Sequence, residues 1–118
     1  MFEIKVRCDF SAAHSLRNYE GKCERLHGHN WIVEASFGYK KLDKDGLAVD
    51  FKTAKAALKS AIEPFDHSYL NELPNFKKVN PTSENIAQLV YGSIKRKMKS
   101  IYSVAVWENE KSCAVYRE

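Results

Sequence analysis

The first ten residues constrain the fold most, because apolar and polar side chains alternate along them. The apolar positions are Phe2, Ile4, Val6, Cys8 and Phe10. A period of two is typical of a β-strand with one buried face. The sequence therefore predicts a first strand over residues 2–10, and its apolar face must be covered by other parts of the chain.

A second strand and a first helix are predicted next. Residues 29–40 are rich in β-branched and aromatic side chains and end in the polar turn KLDKDG, which closes on Gly46. Asp50 can cap a helix over residues 50–63, because apolar residues then recur on one helical face until Pro64 ends the pattern.

A loop and a second helix follow. Residues 66–81 lack sustained periodicity, which indicates a loop of functional length. A helix capped by Thr82 or Ser83 is predicted from there to about Lys99, since its apolar residues form a stripe at helical spacing.

The chain ends in two short predicted strands over 102–108 and 113–117, joined by a tight turn at 109–111. The resulting order, ββααββ, predicts an α+β domain over residues 1–118, with an antiparallel sheet and both helices on one face. A four-stranded sheet has two open edges, and assembly of several copies is one way to cover them.

Composition favours a folded, water-soluble protein. The 118 residues are 44% hydrophobic and 29% charged, and no apolar run approaches the ~20 residues of a membrane helix. The start, MFEIKVRCDF, alternates where a signal peptide would be continuously apolar, so we expect a cytoplasmic protein. The three cysteines are odd in number and include no close pair, which favours free thiols.

Much of the formal charge of +4 comes from the basic run at residues 95–99. Cations in the last turn of a helix complement the helix dipole, so a solvated helix face is the favoured interpretation. A zinc-stabilised nucleic-acid-binding module is the less favoured alternative. A mildly positive field also suits a phosphorylated small substrate.

Three of the four histidines have the spacing of a metal site. In an extended chain His27 and His29 point to the same side, and Gly28 leaves room for close approach. His14 lies just past the first strand and can join them if the two strands pair. Three imidazoles without a fourth protein ligand leave an open coordination position, which is typical of catalytic zinc. The alternative is surface or capping histidines.

Cys23 lies close to these histidines in the stretch CERLHGH. A thiol beside a metal and cationic groups is partly ionised and can act as a base or nucleophile. Two alternatives are a fourth ligand in a closed structural site and a small buried hydrophobic residue. Its polar neighbours Lys22, Glu24 and Arg25 argue against the latter.

Two further positions are candidates for acid–base chemistry or substrate binding. Asp66 can orient the imidazole of His67 as in an acid–base relay, provided that the pair lies at a turn; otherwise Asp66 is a helix cap and His67 a surface residue. Glu108 is an exposed strand-end residue or, alternatively, a carboxylate that accepts paired N–H donors of a ligand.

Taken together, these residues resemble the 6-pyruvoyltetrahydropterin synthase family over nearly the whole chain. The likeness is strongest to its bacterial and archaeal branch, the 6-carboxy-5,6,7,8-tetrahydropterin synthases of the queuosine pathway. The matching features are His14, Cys23-x-x-x-His27-Gly28-His29, Gly46 with Val49-Asp50-Phe51, Asp66-His67 with Leu70-Asn71, Pro81-Thr82-Ser83-Glu84-Asn85 and Glu108.

The resemblance implies a tunnelling fold in which three subunits join their sheets into a barrel and two trimers form a hexamer. It implies one zinc per subunit, held by His14, His27 and His29. The substrate would be 7,8-dihydroneopterin triphosphate, converted to 6-carboxytetrahydropterin with loss of acetaldehyde and triphosphate.

The resemblance also assigns roles to the remaining candidates. Cys23 would be the base, Asp66 and His67 the relay pair, and Glu108 the anchor of the pterin ring, with sites formed between subunits. Thr82 and Glu24 would contribute to substrate binding.

Two positions complicate the assignment within the family. Glu24 also completes the Glu-x-x-His-Gly-His motif of relatives that make 6-hydroxymethyl-7,8-dihydropterin for folate synthesis, so a folate or dual activity is the main alternative, and 6-pyruvoyltetrahydropterin synthesis is another. Glu24 is otherwise a solvent-facing neighbour. Asn109 stands where the family has threonine.

Overall fold

The computed structural model describes residues 1–18 and 25–118. Five strands and two helices are formed in this part of the chain. They are β1 (Phe2–His14), β2 (His27–Tyr39), α1 (Phe51–Ile62), β3 (Ser68–Tyr69), α2 (Ser83–Lys97), β4 (Ile101–Trp107) and β5 (Cys113–Arg117).

The strands form one sheet in the order β3-β1-β2-β4-β5. β1 and β2 are antiparallel over their whole length, from Phe2 opposite Tyr39 to His14 opposite His27. The β2–β4 and β4–β5 pairs are also antiparallel. The predicted α+β class and element order are confirmed, and the sheet carries one addition, since β3 pairs with β1 in parallel.

The first two strands are longer than the apolar pattern indicates. β1 continues past Phe10 to His14, and β2 begins at His27, before the predicted start at His29. The alternation is interrupted by Ala13 and His14 at the end of β1 and by His27 and His29 at the start of β2, but the backbone ladder continues through these residues. Backbone pairing therefore carries the strands beyond the point where hydrophobic periodicity ends.

The predicted loop at 66–81 is more ordered than its composition indicates. It contains β3 and two short 3₁₀ turns, Leu70–Glu72 and Pro74–Phe76. Leu70 and Phe76 are fully buried, so this segment packs onto the core.

Both helices begin at the predicted caps. The Asp50 carboxylate accepts a hydrogen bond from the backbone N–H of Lys52 at 2.8 Å, and the Thr82 hydroxyl accepts one from that of Asn85 at 3.1 Å. α2 ends at Lys97, earlier than the predicted Lys99, because Met98 adopts an extended backbone.

The basic residues at 95–99 therefore lie at the end of α2 and just beyond it. Lys95 donates a hydrogen bond to the Lys99 carbonyl at 3.3 Å, and Lys97 donates one to the Ser60 hydroxyl of α1 at 2.8 Å. These cations cap the helix end and bridge the two helices, as expected for a solvated helix face.

Both helices cover one face of the sheet, which we call the helix-covered face. Its buried strand residues are Val6, Phe10, Ala12, Trp31, Val33, Ala35, Phe37, Val104 and Val106. The opposite, open face carries polar side chains in register across strands, including Arg7, whose guanidinium binds Glu34 at 2.7 Å and lies over the Trp107 ring at 4.9 Å. None of the described helices is long and apolar enough to cross a membrane.

Truncating a core residue of α1 should lower stability strongly. Leu58 is fully buried, so Leu58→Ala should lower the free energy of unfolding by about 2–5 kcal/mol, measured by chemical denaturation. Leu47→Ala is the matched control, because Leu47 is half exposed and its truncation should cost little. Equal costs for the two variants would contradict the core described above.

Candidate metal and active site

Strand register brings three histidines together at one end of the helix-covered face. His14 ends β1 directly opposite His27, which begins β2, and His29 lies opposite Ala12. The three side chains share the face of Phe10 and Trp31. One ligand nitrogen from each imidazole lies within 4.8 Å of the others. The structure thus places side by side the three residues that the sequence proposed as ligands.

Backbone carbonyls fix the tautomers of two of these rings. His14 Nδ1 lies 2.8 Å from the Pro81 carbonyl oxygen, and His27 Nδ1 lies 2.7 Å from that of Arg25. A carbonyl can only accept, so both Nδ1 atoms carry a proton, and in the neutral rings both Nε2 atoms present a lone pair. These two Nε2 atoms are only 2.9 Å apart. Two facing lone pairs repel each other unless a cation lies between them.

The third ring leaves a polar atom without a partner. His29 Nε2 is buried and has no hydrogen-bond partner among the described residues. Among residues 1–18 and 25–118, the nearest acidic group is Glu108, whose Oε2 is 3.8 Å away. Buried polar atoms are nearly always paired, so an orphaned nitrogen close to the ring nitrogens of His14 and His27 favours a site that binds a ligand here.

Burial keeps two of the imidazoles neutral. Desolvation lowers the pKa of His14, against the opposing hydrogen bond to Pro81. Desolvation likewise lowers the pKa of His29, against the attraction of Glu108. A neutral imidazole is the form that binds a metal.

The donor set fits a divalent transition metal. Three nitrogens bound to one tetrahedral ion at about 2.0–2.1 Å lie about 3.4 Å from one another, and the ligand atoms here are between 2.9 and 4.8 Å apart. Neutral imidazole is a common ligand of zinc, copper, iron and nickel. The three histidines can therefore hold a metal ion.

Trp31 packs against two of the three imidazole rings from the core. It is fully buried, and its indole N–H donates a hydrogen bond to the Ala12 carbonyl at 3.2 Å. The His14 and His29 rings stand edge-on to it, with ring centroids 4.8 and 5.2 Å away. This packing limits the freedom of the imidazoles before any ligand binds.

Glu108 lies immediately after β4, on the side of His29. It is partly buried, and its Oε1 is 3.4 Å from the Ser83 hydroxyl, which can donate to it. The sequence indicated Ser83 as a possible helix cap and as part of a family motif, but no pattern predicted its contact with Glu108. Thr82 instead uses its oxygen to cap α2. Asn109 accepts a hydrogen bond from the Lys111 backbone N–H at 2.8 Å, which commits its side-chain oxygen to a turn.

Asp66 and His67 form a pair at a turn, as their acid–base interpretation requires. Asp66 Oδ1 lies 3.1 Å from His67 Nδ1, and His67 has a φ of 56°. The backbone N–H of Ser11 donates to Asp66 at 3.0 Å, and the Ser11 carbonyl accepts from the His67 N–H at 2.6 Å. The Ser11 hydrogen bond and the adjacent His67 lower the pKa of Asp66. A left-handed φ at a non-glycine residue is strained, and Ser11 holds it in place.

The pair does not contact the three-histidine cluster within the described residues. The His67 side chain is 84% exposed, whereas the His14 side chain is buried. A shallow cleft of about 440 Å³ on the sheet nevertheless borders both His29 and His67. Cys23 and Glu24 lie outside the described residues, so their predicted roles remain predictions.

Comparison with known proteins identifies the family. The family model for 6-pyruvoyl tetrahydropterin synthase matches residues 3–118. A putative 6-carboxy-5,6,7,8-tetrahydropterin synthase of Archaeoglobus fulgidus is 35% identical over 97% of this chain and 94% of its own length. The 6-carboxy-5,6,7,8-tetrahydropterin synthase of Synechocystis is 35% identical over 98% of this chain and 93% of its own length.

Solved structures agree with these sequence relatives. The 6-pyruvoyl tetrahydropterin synthase of Caenorhabditis elegans superposes with a TM-score of 0.89 at 25% identity, covering 99% of this chain and 95% of the other. The Plasmodium vivax enzyme of the same name superposes with a TM-score of 0.72 at 17% identity, covering 99% and 97%, which shows the shared fold.

The fold and the sequence relatives are thus those of a pterin synthase, an enzyme of the lyase class. The chain belongs to the 6-pyruvoyl tetrahydropterin synthase family.

The lowered pKa values predict how the metal-free protein responds to acid. Below about pH 6.5 an unfolded histidine binds a proton that buried His14 and His29 resist, so the unfolded state takes up more protons and stability falls as pH falls. Denaturation midpoints of metal-free protein should therefore drop between pH 7.5 and 5.5. The His14→Gln/His29→Gln variant should show a shallower drop, and an unchanged slope would contradict the burial effect.

Proposed function

We propose that the chain is a zinc-dependent lyase that converts 7,8-dihydroneopterin triphosphate to 6-carboxy-5,6,7,8-tetrahydropterin, acetaldehyde and triphosphate, a step of queuosine biosynthesis. A cluster of three imidazole nitrogens carries the metal-dependent part of this proposal. The Nε2 atoms of His14 and His27 lie 2.9 Å apart, and the nearby His29 Nε2 has no hydrogen-bond partner among the described residues. The choice of product is supported by the names of the archaeal and cyanobacterial relatives.

His14, His27 and His29 would hold the zinc. When bound, a zinc ion with an open coordination position polarises substrate hydroxyl or carbonyl oxygens and so acidifies the neighbouring C–H. Backbone hydrogen bonds at the other ring nitrogens orient two of these ligands, the usual function of groups behind a metal ligand.

The remaining residues would transfer protons and bind the pterin ring. Cys23, which lies outside the described residues, would remove the proton as a thiolate. The imidazole of His67, oriented by Asp66 at 3.1 Å, would return a proton elsewhere on the substrate. Glu108 would accept N–H donors of the pterin ring in bidentate fashion, held in place by Ser83.

The reaction balances without an external oxidant. One water is consumed, and triphosphate leaves from the terminal side-chain carbon, which becomes the methyl group of acetaldehyde. The carbon next to the ring becomes the carboxylate and the middle carbon the aldehyde. The electrons that these two carbons lose are gained by the pterin ring, which takes up two hydrogens, and by the methyl carbon. An internal redox change of this kind requires proton transfer but no nicotinamide or flavin.

Assembly would complete the site. Apart from the short β3 contact at Ala12 and Ala13, the outer edge of β1 has no strand partner among the described residues, and β5 forms the opposite edge. Joining β1 of one copy to β5 of the next would cover both edges and close a barrel of three subunits, two of which would stack as a hexamer. It would also bring residues of different subunits together, which suits the exposed position of His67.

Metal content tests the ligand assignment. Purified protein should contain about one zinc per chain, measured by inductively coupled plasma mass spectrometry, and His27→Ala should lose most of it, because two nitrogens cannot complete the site. Gln88→Ala is a suitable control, since Gln88 is exposed on α2. Full zinc occupancy in His27→Ala would refute the assignment.

Product analysis tests the reaction and the base. The wild type should form 6-carboxytetrahydropterin from dihydroneopterin triphosphate, and Cys23→Ala should reduce the rate by about 10²–10⁴-fold, the usual contribution of a proton-transfer residue. Glu24→Ala should retain that activity. Formation of 6-hydroxymethyl-7,8-dihydropterin, lost in Glu24→Ala, would instead assign a folate activity, and carboxypterin formation by Cys23→Ala would exclude Cys23 as the base.

A further inference from the structure

Residues 15–17 follow β1 and form hydrogen bonds with side chains at positions where a neighbouring strand would otherwise pair. Asn71 accepts a hydrogen bond from the Ser15 backbone N–H through Oδ1 at 2.9 Å, and its Nδ2 donates to the Ser15 carbonyl at 2.9 Å. A primary amide offers one acceptor and one donor side by side, which is what a strand residue offers to its neighbour in a sheet.

Asn80 repeats this arrangement two residues further along. The Arg17 backbone N–H donates to Asn80 Oδ1 at 2.9 Å, and Asn80 Nδ2 donates to the Arg17 carbonyl at 3.0 Å. Every second residue of a strand turns both backbone groups to the same edge. Ser15 and Arg17 therefore continue the edge of β1, and each is paired with one asparagine amide.

The asparagine pairs extend a row of contacts that begins inside β1. Ser11 pairs on the same edge with the Asp66 carboxylate and the His67 backbone, and Ala13 lies opposite Tyr69 of β3. The backbone groups on this edge are thus paired at residues 11, 13, 15 and 17.

Both asparagines are themselves held firmly. Asn71 is only 7% exposed, and Asn80 accepts a hydrogen bond at its backbone carbonyl from Asn85 Nδ2 at 2.8 Å. The Arg17 guanidinium donates to the carbonyls of Val79 and Asn71, each at 3.2 Å. Side chains of residues 15–17 and of the loop at 71–80 therefore each form hydrogen bonds with the backbone of the other segment.

We propose that Asn71 and Asn80 are positioning residues for the pterin synthase reaction. Their amides hold residues 15–17 in line with β1, which fixes the strand end that carries His14. This inference rests on the proposed function. Neither asparagine contacts the three histidines among the described residues, so both act through the backbone that they hold.

Replacing each amide by a carboxylate tests the proposal. Asp keeps the acceptor for the N–H but has no donor for the carbonyl, so Asn71→Asp and Asn80→Asp should break one bond of each pair. Amide hydrogen exchange at Ser15 and Arg17 should speed up. A misplacement of about 1 Å can cost 10²-fold in rate, so kcat should fall about 10–100-fold, with KM changed less than about twofold.

Cobalt binding provides a reading that does not depend on turnover. Groups behind metal ligands change affinity by about 10–100-fold, so Asn71→Asp, next to the strand end of His14, should weaken Co²⁺ binding by about tenfold in a spectrophotometric titration. Asn75→Asp is the matched control, because Asn75 is exposed in the same loop and gains the same charge. It should leave exchange, cobalt affinity and kcat unchanged.

Two further variants separate positioning from general destabilisation. Asn80→Ala, at a partly exposed site, replaces Asn80→Asp if the latter does not fold. Ile94→Val truncates the buried core in α2 and should lower the melting temperature without lowering kcat. Faster exchange with unchanged kcat and cobalt affinity would overturn the proposal, and so would an equal loss of kcat in Ile94→Val.

Failure of the proposed function is distinguishable from failure of this inference. If the wild type forms no pterin product, the reaction is refuted, and the cobalt titration alone decides about the asparagines. Weaker cobalt binding by Asn71→Asp than by Asn75→Asp would then support the positioning role, and equal binding would overturn it.

Discussion

The site depends on the antiparallel register of β1 and β2. Phe10 lies opposite Trp31 on the buried face, and the same register places His14 opposite His27 at the strand ends. A slip of one residue would turn the β2 side chains to the other face of the sheet and expose Trp31. The hydrophobic free energy that buries Trp31 therefore also determines that the imidazoles of β2 meet the one from β1.

The parts of the fold that follow from local chemistry were predictable. Alternation from Phe2 to Phe10 identified the buried face of β1, and Asp50 and Thr82 cap their helices as the sequence indicated. The grouping of the histidines was predictable as well, because residues two apart in a strand share a side. These inferences needed only spacing and the hydrogen-bonding capacity of single side chains.

The parts that depend on distant pairing were not predictable. The carbonyl partner of His14 is Pro81, 67 positions away, and no local pattern indicates such a contact. β3 has only two residues, and its partner strand supplies the order that its composition lacks. Similarly, the left-handed backbone of His67 results from the hydrogen bonds with Ser11. Asparagines in a polar loop look like ordinary turn residues until their partners are known.

The Nδ1 atoms of His14 and His27 are both bonded to backbone carbonyls, which limits what these two rings can do in a reaction. A ring with one nitrogen bonded to a carbonyl and the other bound to an ion would have no site left with which to carry a proton. Under the proposed function, acid–base work would fall to groups outside the trio, namely His67 and either Cys23 or Glu24. Metal binding and proton transfer would then rest on separate groups, so a change of base would leave β1 and β2, which carry the three histidines, unchanged.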